Sequence, residues 1–194
     1  MAKNIKLKDN TNIIFRDLKK KDKNRLAEFF KSLPKEDRVY LRRDVTDKET
    51  VKQIIKSSKL GESTKVVALN ENIIVAYGLL ELEQKQWNKQ SCEIRMLVSN
   101  DYRRKGLGIL LARELYSLAI SKKVEDIIVK MMKPQKAAIS IFKRMGFKQE
   151  SVLYDYGIDL DGVRQDIIIM RCDVADMWKE LEEYLENSDW QRTR

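Results

Sequence analysis

Three consecutive cations and two glycines, Arg103-Arg104-Lys105-Gly106-Leu107-Gly108, are the residues of this chain best suited to chemistry, and the chemistry is the holding of an anion. A helix start leaves about four backbone N–H groups without intrahelical partners and carries roughly half a positive charge. Gly106 and Gly108 lack the Cβ atoms that would keep a phosphate from those amides, while Arg103, Arg104 and Lys105 supply fixed charge around it. The loop therefore reads as a pyrophosphate cradle; the alternative is an ordinary turn with solvated basic residues. It is not the Walker pattern, since no Gly-Lys-Ser/Thr follows, and it lacks the three-glycine dinucleotide fingerprint.

The elements that must position this loop are legible on either side. Residues 93–98 alternate and end in Leu97-Val98, as a half-buried strand does, and Ser99-Asn100-Asp101 is a turn cluster that stops it. From Leu107 onward, Leu107, Leu110, Leu111, Leu115, Leu118 and Ala119 recur at three- and four-residue spacing, one face of a helix.

Arg103-x-x-Gly106-x-Gly108 between such a strand and a leucine-rich helix resembles motif A of the GNAT superfamily, the N-acetyltransferases that bind acetyl-coenzyme A. Residues 138–147, Ala-Ile-Ser-Ile-Phe-Lys-Arg-Met-Gly-Phe, resemble its motif B, usually seen as Ala-x-x-x-Tyr-x-x-x-Gly-Phe, at a distance that leaves room for one helix and one strand. The two segments cover roughly a quarter of the chain, and the order of elements fits the family over most of it.

Length and composition agree with one domain. The 194 residues suit a single globular unit with a real core, with 43% hydrophobic and 36% charged residues. No run is long enough to cross a membrane and residues 1–9 carry no signal-peptide pattern, so a cytoplasmic protein is expected. Cys92 and Cys172 lie at the ends of separate predicted strands without metal spacing and read as reduced structural thiols. The chain has no histidine, which excludes Ser–His and Cys–His nucleophilic catalysis and argues against a catalytic zinc site. A balance of 39 basic against 30 acidic residues gives +9, but the main cluster, residues 19–25, has no interleaved aromatics to stack bases and reads as a solvated helix start. No nucleic-acid partner is expected.

In chain order, Ile13-Ile14-Phe15-Arg16 reads as a first strand, and Leu26, Phe29, Phe30 and Leu33 mark a helix that stops at Pro34. Thr46-Asp47-Lys48-Glu49 has capping-box spacing, predicting a second helix through Val51, Ile54 and Ile55 to about Lys59, with Gly61 beyond it. Residues 65–69 and 73–83 are strands joined by Asn70-Glu71-Asn72; a polar connection at Trp87-Asn88-Lys89 follows, and residues 126–132 form a strand closed by Pro134. Motif B is a helix ending at Gly146, and residues 151–158 and 163–171 form a hairpin around Asp161-Gly162. The expected architecture is α/β (α+β), a mixed, largely antiparallel sheet with helices on both faces. Val174, Met177, Trp178, Leu181 and Leu185 mark an extra amphipathic helix at about 174–187, which either packs on its own domain or covers a partner in a homodimer.

The resemblance also implies site residues. In the family the strand before the loop splays from its neighbour, its backbone pairs with the pantetheine arm, and a backbone N–H polarises the thioester carbonyl; here that strand segment is 96–99, with Leu97 and Val98 against the cofactor and the Val98 N–H as the oxyanion donor. Many members use a Glu on this strand or the one before it as general base through water, giving Glu93 first and Glu81 second. Both sit in otherwise apolar strands, where burial would raise a carboxylate pKa toward a useful range; Glu93 alternates with Arg95, so an ion pair on a solvent face is the alternative. Gln135 stands where an Asn often contacts the cofactor. Phe142 stands at the position of the Tyr that protonates the departing thiolate, and phenylalanine cannot give a proton. Either the thiolate, with a pKa near 8.5, leaves unaided, or Tyr154 or Tyr156 substitutes, or the domain binds acyl-coenzyme A without turnover. The helical pair after the first strand helps form the acceptor site in the family, making residues 40–44 a candidate acceptor-side loop. The expectation is an acetyl-coenzyme A-dependent N-acetyltransferase acting on a small-molecule or peptide amine by direct transfer, with a non-catalytic acyl-coenzyme A sensor as the alternative.

Overall fold

A computed structural model describes residues 2–56, 63–83 and 90–175. Eight strands form one sheet in the order β1-β2-β3-β4-β5-β6-β8-β7: β1 (Ala2–Lys6), β2 (Asn12–Asp17), β3 (Ser63–Asn70), β4 (Ile73–Glu83), β5 (Ser91–Val98), β6 (Asp126–Met132), β7 (Lys148–Ile158) and β8 (Arg164–Asp173). Every neighbouring pair is antiparallel except β5 and β6. The helices are α1 (Lys23–Ser32), α2 (Lys35–Arg38), α3 (Lys48–Lys56), α4 (Leu107–Ser121) and α5 (Lys136–Arg144).

The alternation of each strand sends its side chains into one of two apolar clusters. On one face Ala76, Leu80, Cys92, Ile94, Ile127 and Val129 pack under Leu107, Leu111 and Leu115 of α4 and Phe142 of α5. On the other, Val67, Leu69, Ile74 and Tyr77 pack under Leu26, Phe29 and Phe30 of α1 and Val51 of α3. Helices on both faces of a mixed sheet are as the sequence predicts. Gly78 lets α4 settle on the sheet, since a Cβ there would lie 2.9 Å from Leu115 Cδ1. The three fully buried leucines of α4 contribute about 2 kcal/mol each.

Local expectations need four corrections. A strand, β1, precedes the predicted first strand; it is an edge strand, exposed or half-exposed along its length, so its sequence carries almost no apolar alternation. A short helix, α2, follows Pro34, whose lack of an N–H costs nothing at a helix start. The cap of α3 is Asp47 rather than Thr46: the Asp47 carboxylate accepts from the Thr50 N–H at 2.8 Å, while the Thr46 hydroxyl donates to Asp44. In the basic cluster at 19–25, Asp22 is fully buried, accepting two hydrogen bonds from Arg16 at 2.6 and 2.8 Å and one from the Lys19 N–H. That carboxylate ties β2 to α1. Gly61, Trp87-Asn88-Lys89 and the predicted C-terminal helix from Met177 onward lie outside the described residues.

Candidate active site

β5 and β6 run together only briefly. They pair at Ser91 with Asp126, Cys92 with Ile127 and Glu93 with Ile128, and then part, while β5 stays paired to β4 as far as Val98 and Ala76. The Ser99 N–H donates to the Val75 carbonyl at 2.9 Å. Alternate amides of an antiparallel strand point to opposite edges. Those of Met96 and Val98, both in the segment 96–99 singled out from sequence, therefore point into the gap.

At the mouth of this gap β5 turns through Asn100–Tyr102 into the basic loop. Arg104 (φ 60) and Gly106 (φ 92) are both left-handed, and Gly106 caps α4, whose first internal bond runs from the Leu110 N–H to the Gly106 carbonyl at 3.2 Å. The amides of Leu107, Gly108 and Ile109 precede that bond and remain available to an anion. The charges around them are unequal. Arg103 donates to Asp37 at 2.6 Å, and Lys105 lies 3.1 Å from Asp9 and over the Tyr102 ring. Arg104 alone of the three has no ion-pair partner among the described residues.

Gly108 also has a packing role. A Cβ there would lie 2.9 Å from Ile141 Cδ1, so the glycine lets α5 approach α4. Gln135 is held by its own backbone work: its Oε1 accepts from the Met132 N–H at 2.8 Å, closing the turn from β6 into α5. Phe142 is 2% exposed and meets Phe147 edge-on at 5.1 Å, which makes it a core residue with little surface for a cofactor. Tyr154 and Tyr156 are 75% and 74% exposed on the irregular outer strand.

Glu93 sits at the vertex of the gap, on the α1 and α3 face. It is 4% exposed, accepts from Arg95 Nε at 2.9 Å and from Arg42 Nη2, and lies 3.4 Å from Lys130. Burial alone would push its carboxyl up, but Arg95, then Arg42 and Lys130, outweigh that and hold it below the ordinary glutamate value. The expected rise is thus reversed, because the apolar strand sequence did not reveal the cations that other strands and loops bring in. Glu81 lies directly across the ladder from Glu93, but it is exposed and pairs with Arg95 at 2.6 Å, so the expected apolar setting is absent there as well. Arg42 comes from the predicted acceptor-side loop, and the hairpin tip reaches the residue just before it: the Leu160 N–H donates to the Val39 carbonyl at 2.8 Å. Tyr77, opposite Leu97, is 7% exposed, and burial raises its phenol pKa, so it keeps its proton.

A parted sheet beside a glycine-capped helix start is the architecture of an acetyl-coenzyme A-binding fold, and comparison agrees. The Acetyltransferase (GNAT) family model matches residues 26–147, and the chain belongs to that family, whose donor is acetyl-coenzyme A. No curated protein sequence matches it. Solved structures with the same fold include the ribosomal-protein-S5-alanine acetyltransferase of Vibrio fischeri (TM-score 0.76, 12% identity, 89% of this chain and 96% of that one). The ribosomal-protein-alanine N-acetyltransferase of Brucella melitensis is similar (0.72, 20%, 82% and 99%), as is Mycobacterium smegmatis RimJ in complex with CoA-disulfide (0.73, 11%, 90% and 88%). At these identities the likeness concerns the fold. No helix among the described residues is long and apolar enough to cross a membrane, and no group of metal-ligating side chains is present among them.

Proposed function

We infer that the protein is an N-acetyltransferase that moves an acetyl group from acetyl-coenzyme A directly to a primary amine. The observation that carries this is the gap between β5 and β6, with backbone donors along one side, a phosphate-ready helix start at its mouth and an ionised carboxylate at its vertex. Bound acetyl-coenzyme A supplies the activated thioester. The amides of Leu107, Gly108 and Ile109 with Arg104 would hold its pyrophosphate. The Val98 N–H, with Met96 behind it, polarises the carbonyl, and such a donor contributes on the order of 3 kcal/mol. Glu93, through water, takes the amine's proton. Phe142 has no hydroxyl to give, and Tyr154 and Tyr156 are exposed on the outer strand, so the thiolate, of pKa near 8.5, leaves unaided. Two buried cysteines that form no disulfide, Cys92 and Cys172, support a reducing compartment and a cytoplasmic location.

The test is thiol release from acetyl-coenzyme A against polyamines, amino acids, aminoglycosides and basic peptides, with calorimetric coenzyme A binding alongside. Release above background with any amine is the expected result. Tight binding without release across the panel would favour the second reading, a non-catalytic acyl-coenzyme A sensor. Phe142 and the depressed Glu93 pKa are the observations on that side.

A further inference from the structure

Among the described residues, the sheet brings two lysines to the charged cluster around Glu93, and they are held very differently. Glu93 is met by Arg95 of its own strand, Arg42 of the loop and Lys130 of β6, with Glu81 and Glu83 of β4 beside them and Lys65 of β3 next to Glu81. The guanidiniums stay protonated and cannot act as nucleophiles. Lys65 is 7% exposed and its Nζ donates to the Ile54 carbonyl at 2.6 Å, which ties it to α3. Lys130 is looser. Its Nζ lies 3.4 Å from Glu93 and 3.7 Å from Glu83, within reach of their charge but beyond the roughly 2.8 Å of a charge-assisted hydrogen bond, and its side chain is 33% exposed.

The position of Lys130 on its strand matters as much as its freedom. Glu93 and Ile128 are the last couple paired between β5 and β6, and Lys130 stands two residues further along β6, where the strands have parted. On β5 the same stretch carries Arg95 and then Met96 and Val98, whose amides enter the gap. A lysine's four-carbon stem is flexible, so its amine can turn along the gap without moving the strand. A primary amine, a carboxylate able to take its proton and the donors that polarise a carbonyl thus share one end of one opening.

We propose that Lys130 is an internal acceptor, acetylated by the chain's own centre when no external amine occupies the gap. The inference rests on the transferase reading and adds a modification site to it. Lys130 passes one proton to Glu93, and its freed amine attacks the thioester carbon. The N–C amide bond forms as the C–S bond breaks, with the electron pair going to sulfur. The second proton leaving the nitrogen ends on the thiolate, and Glu93 returns its own to water. The amide carries no charge, so Glu93 loses one of its three cations, and the restraint that holds its carboxyl low is relaxed. Self-acetylation therefore tunes the base for the amines that follow.

The experiment incubates the full chain with acetyl-coenzyme A alone and follows every lysine by peptide mass mapping, before and after. One acetyl group on Lys130 is expected, formed at a first-order rate independent of protein concentration, while the exposed Lys8, Lys20 and Lys21 stay unmodified. Glu93→Gln should slow its formation by about 100-fold or more. With any amine that is turned over, Lys130→Gln, which removes the charge as acetylation does, should move the acidic limb of kcat/KM to higher pH than Lys130→Arg. Acetyl spread evenly over exposed lysines, a rate that rises with protein concentration, an unchanged rate in Glu93→Gln, or coincident acidic limbs would overturn the proposal. Turnover of an external amine with Lys130 unmodified rejects the internal acceptor and leaves the transferase standing. An acetyl group on Lys130 with no amine turned over upholds the site, and neither product, with coenzyme A bound, rejects both readings.

Discussion

Gly108 and Ile141 interlock across α4 and α5: the space a Cβ would need on the first is taken, at 2.9 Å, by the Cδ1 of the second. Gly108→Ala gains up to roughly 1 kcal/mol in helix propensity, and the Ile141 Cδ1 it meets is the far end of a flexible, half-buried side chain that can turn aside at a cost of about 1 kcal/mol. The single change should be close to neutral, and in an Ile141→Val background, which removes the offending atom, it should stabilise. A double-mutant cycle by denaturant unfolding should give a coupling energy of about 1 kcal/mol; strict additivity would show that the two helices do not meet this way.

The unequal charges of the loop make a sharper statement about the cofactor. Arg104→Glu should weaken coenzyme A binding by about 10–100-fold, the worth of one charge-assisted contact plus its reversal. Arg103→Gln and Lys105→Gln should cost less, because Asp37 and Asp9 already hold those side chains. Calorimetry on the three variants settles the order. Equal losses would mean that ligand binding pulls Arg103 and Lys105 off their carboxylates.

Glu93 has two separable readouts. As base, its replacement in Glu93→Gln should lower kcat about 10²–10⁴-fold. As a buried anion among three cations, it should also stabilise the fold by about 3 kcal/mol. Its folded pKa is depressed. That stability is therefore fully present above the ordinary glutamate pKa and is lost as pH falls through the folded value. The thermal midpoints of wild type and Glu93→Gln should lie apart at pH 7 and draw together as pH falls below the ordinary glutamate range. A constant difference would assign the effect to packing.

Cys92 and Cys172 flank Ile127 on neighbouring strands, one paired to each side of it. Two strand spacings put their Cα atoms about 10 Å apart, beyond disulfide reach. Burial and then Glu83 and Glu93 push the Cys92 thiol up to about 12. Neither cysteine should react with a thiol reagent in the native protein, and both should in denaturant. Rapid native labelling of Cys92 would contradict the placement of β5.

Most of the fold was legible because its signals are local. Alternation located β5, apolar runs closed by turn residues located the other strands from β2 to β8, three- and four-residue spacing and a capping-box pattern located α1, α3, α4 and α5, and Gly106 and Gly146 punctuate two helices with left-handed backbone. What failed depends on partners distant in sequence. Asp22 sits among lysines and is nevertheless buried, because Arg16 reaches it from another element. Glu93 looked like a carboxylate in an apolar strand, yet Arg42 and Lys130 arrive from 51 residues before it on a loop and from the next strand of the sheet. The glycine spacing of the loop was readable, but that Gly108 serves Ile141 was not, since no pattern in one segment reports the contact surface of another.

The parting of β5 from β6 has a consequence for how the chain survives in a cell. Met96 and Val98 offer two amide donors along an edge inside the sheet, and a molecule with amides spaced along a thin chain, as pantetheine is, can lie there as a ninth strand. On the proposed function, the donor substrate would finish the architecture as well as feed the reaction. Ligand at a hundred times its Kd adds about 2.7 kcal/mol to folding stability, a large share of the total for a domain of this size. Starved of its donor, the chain would lose both its substrate and part of its structural support, so its lifetime would follow the supply of activated acetyl groups.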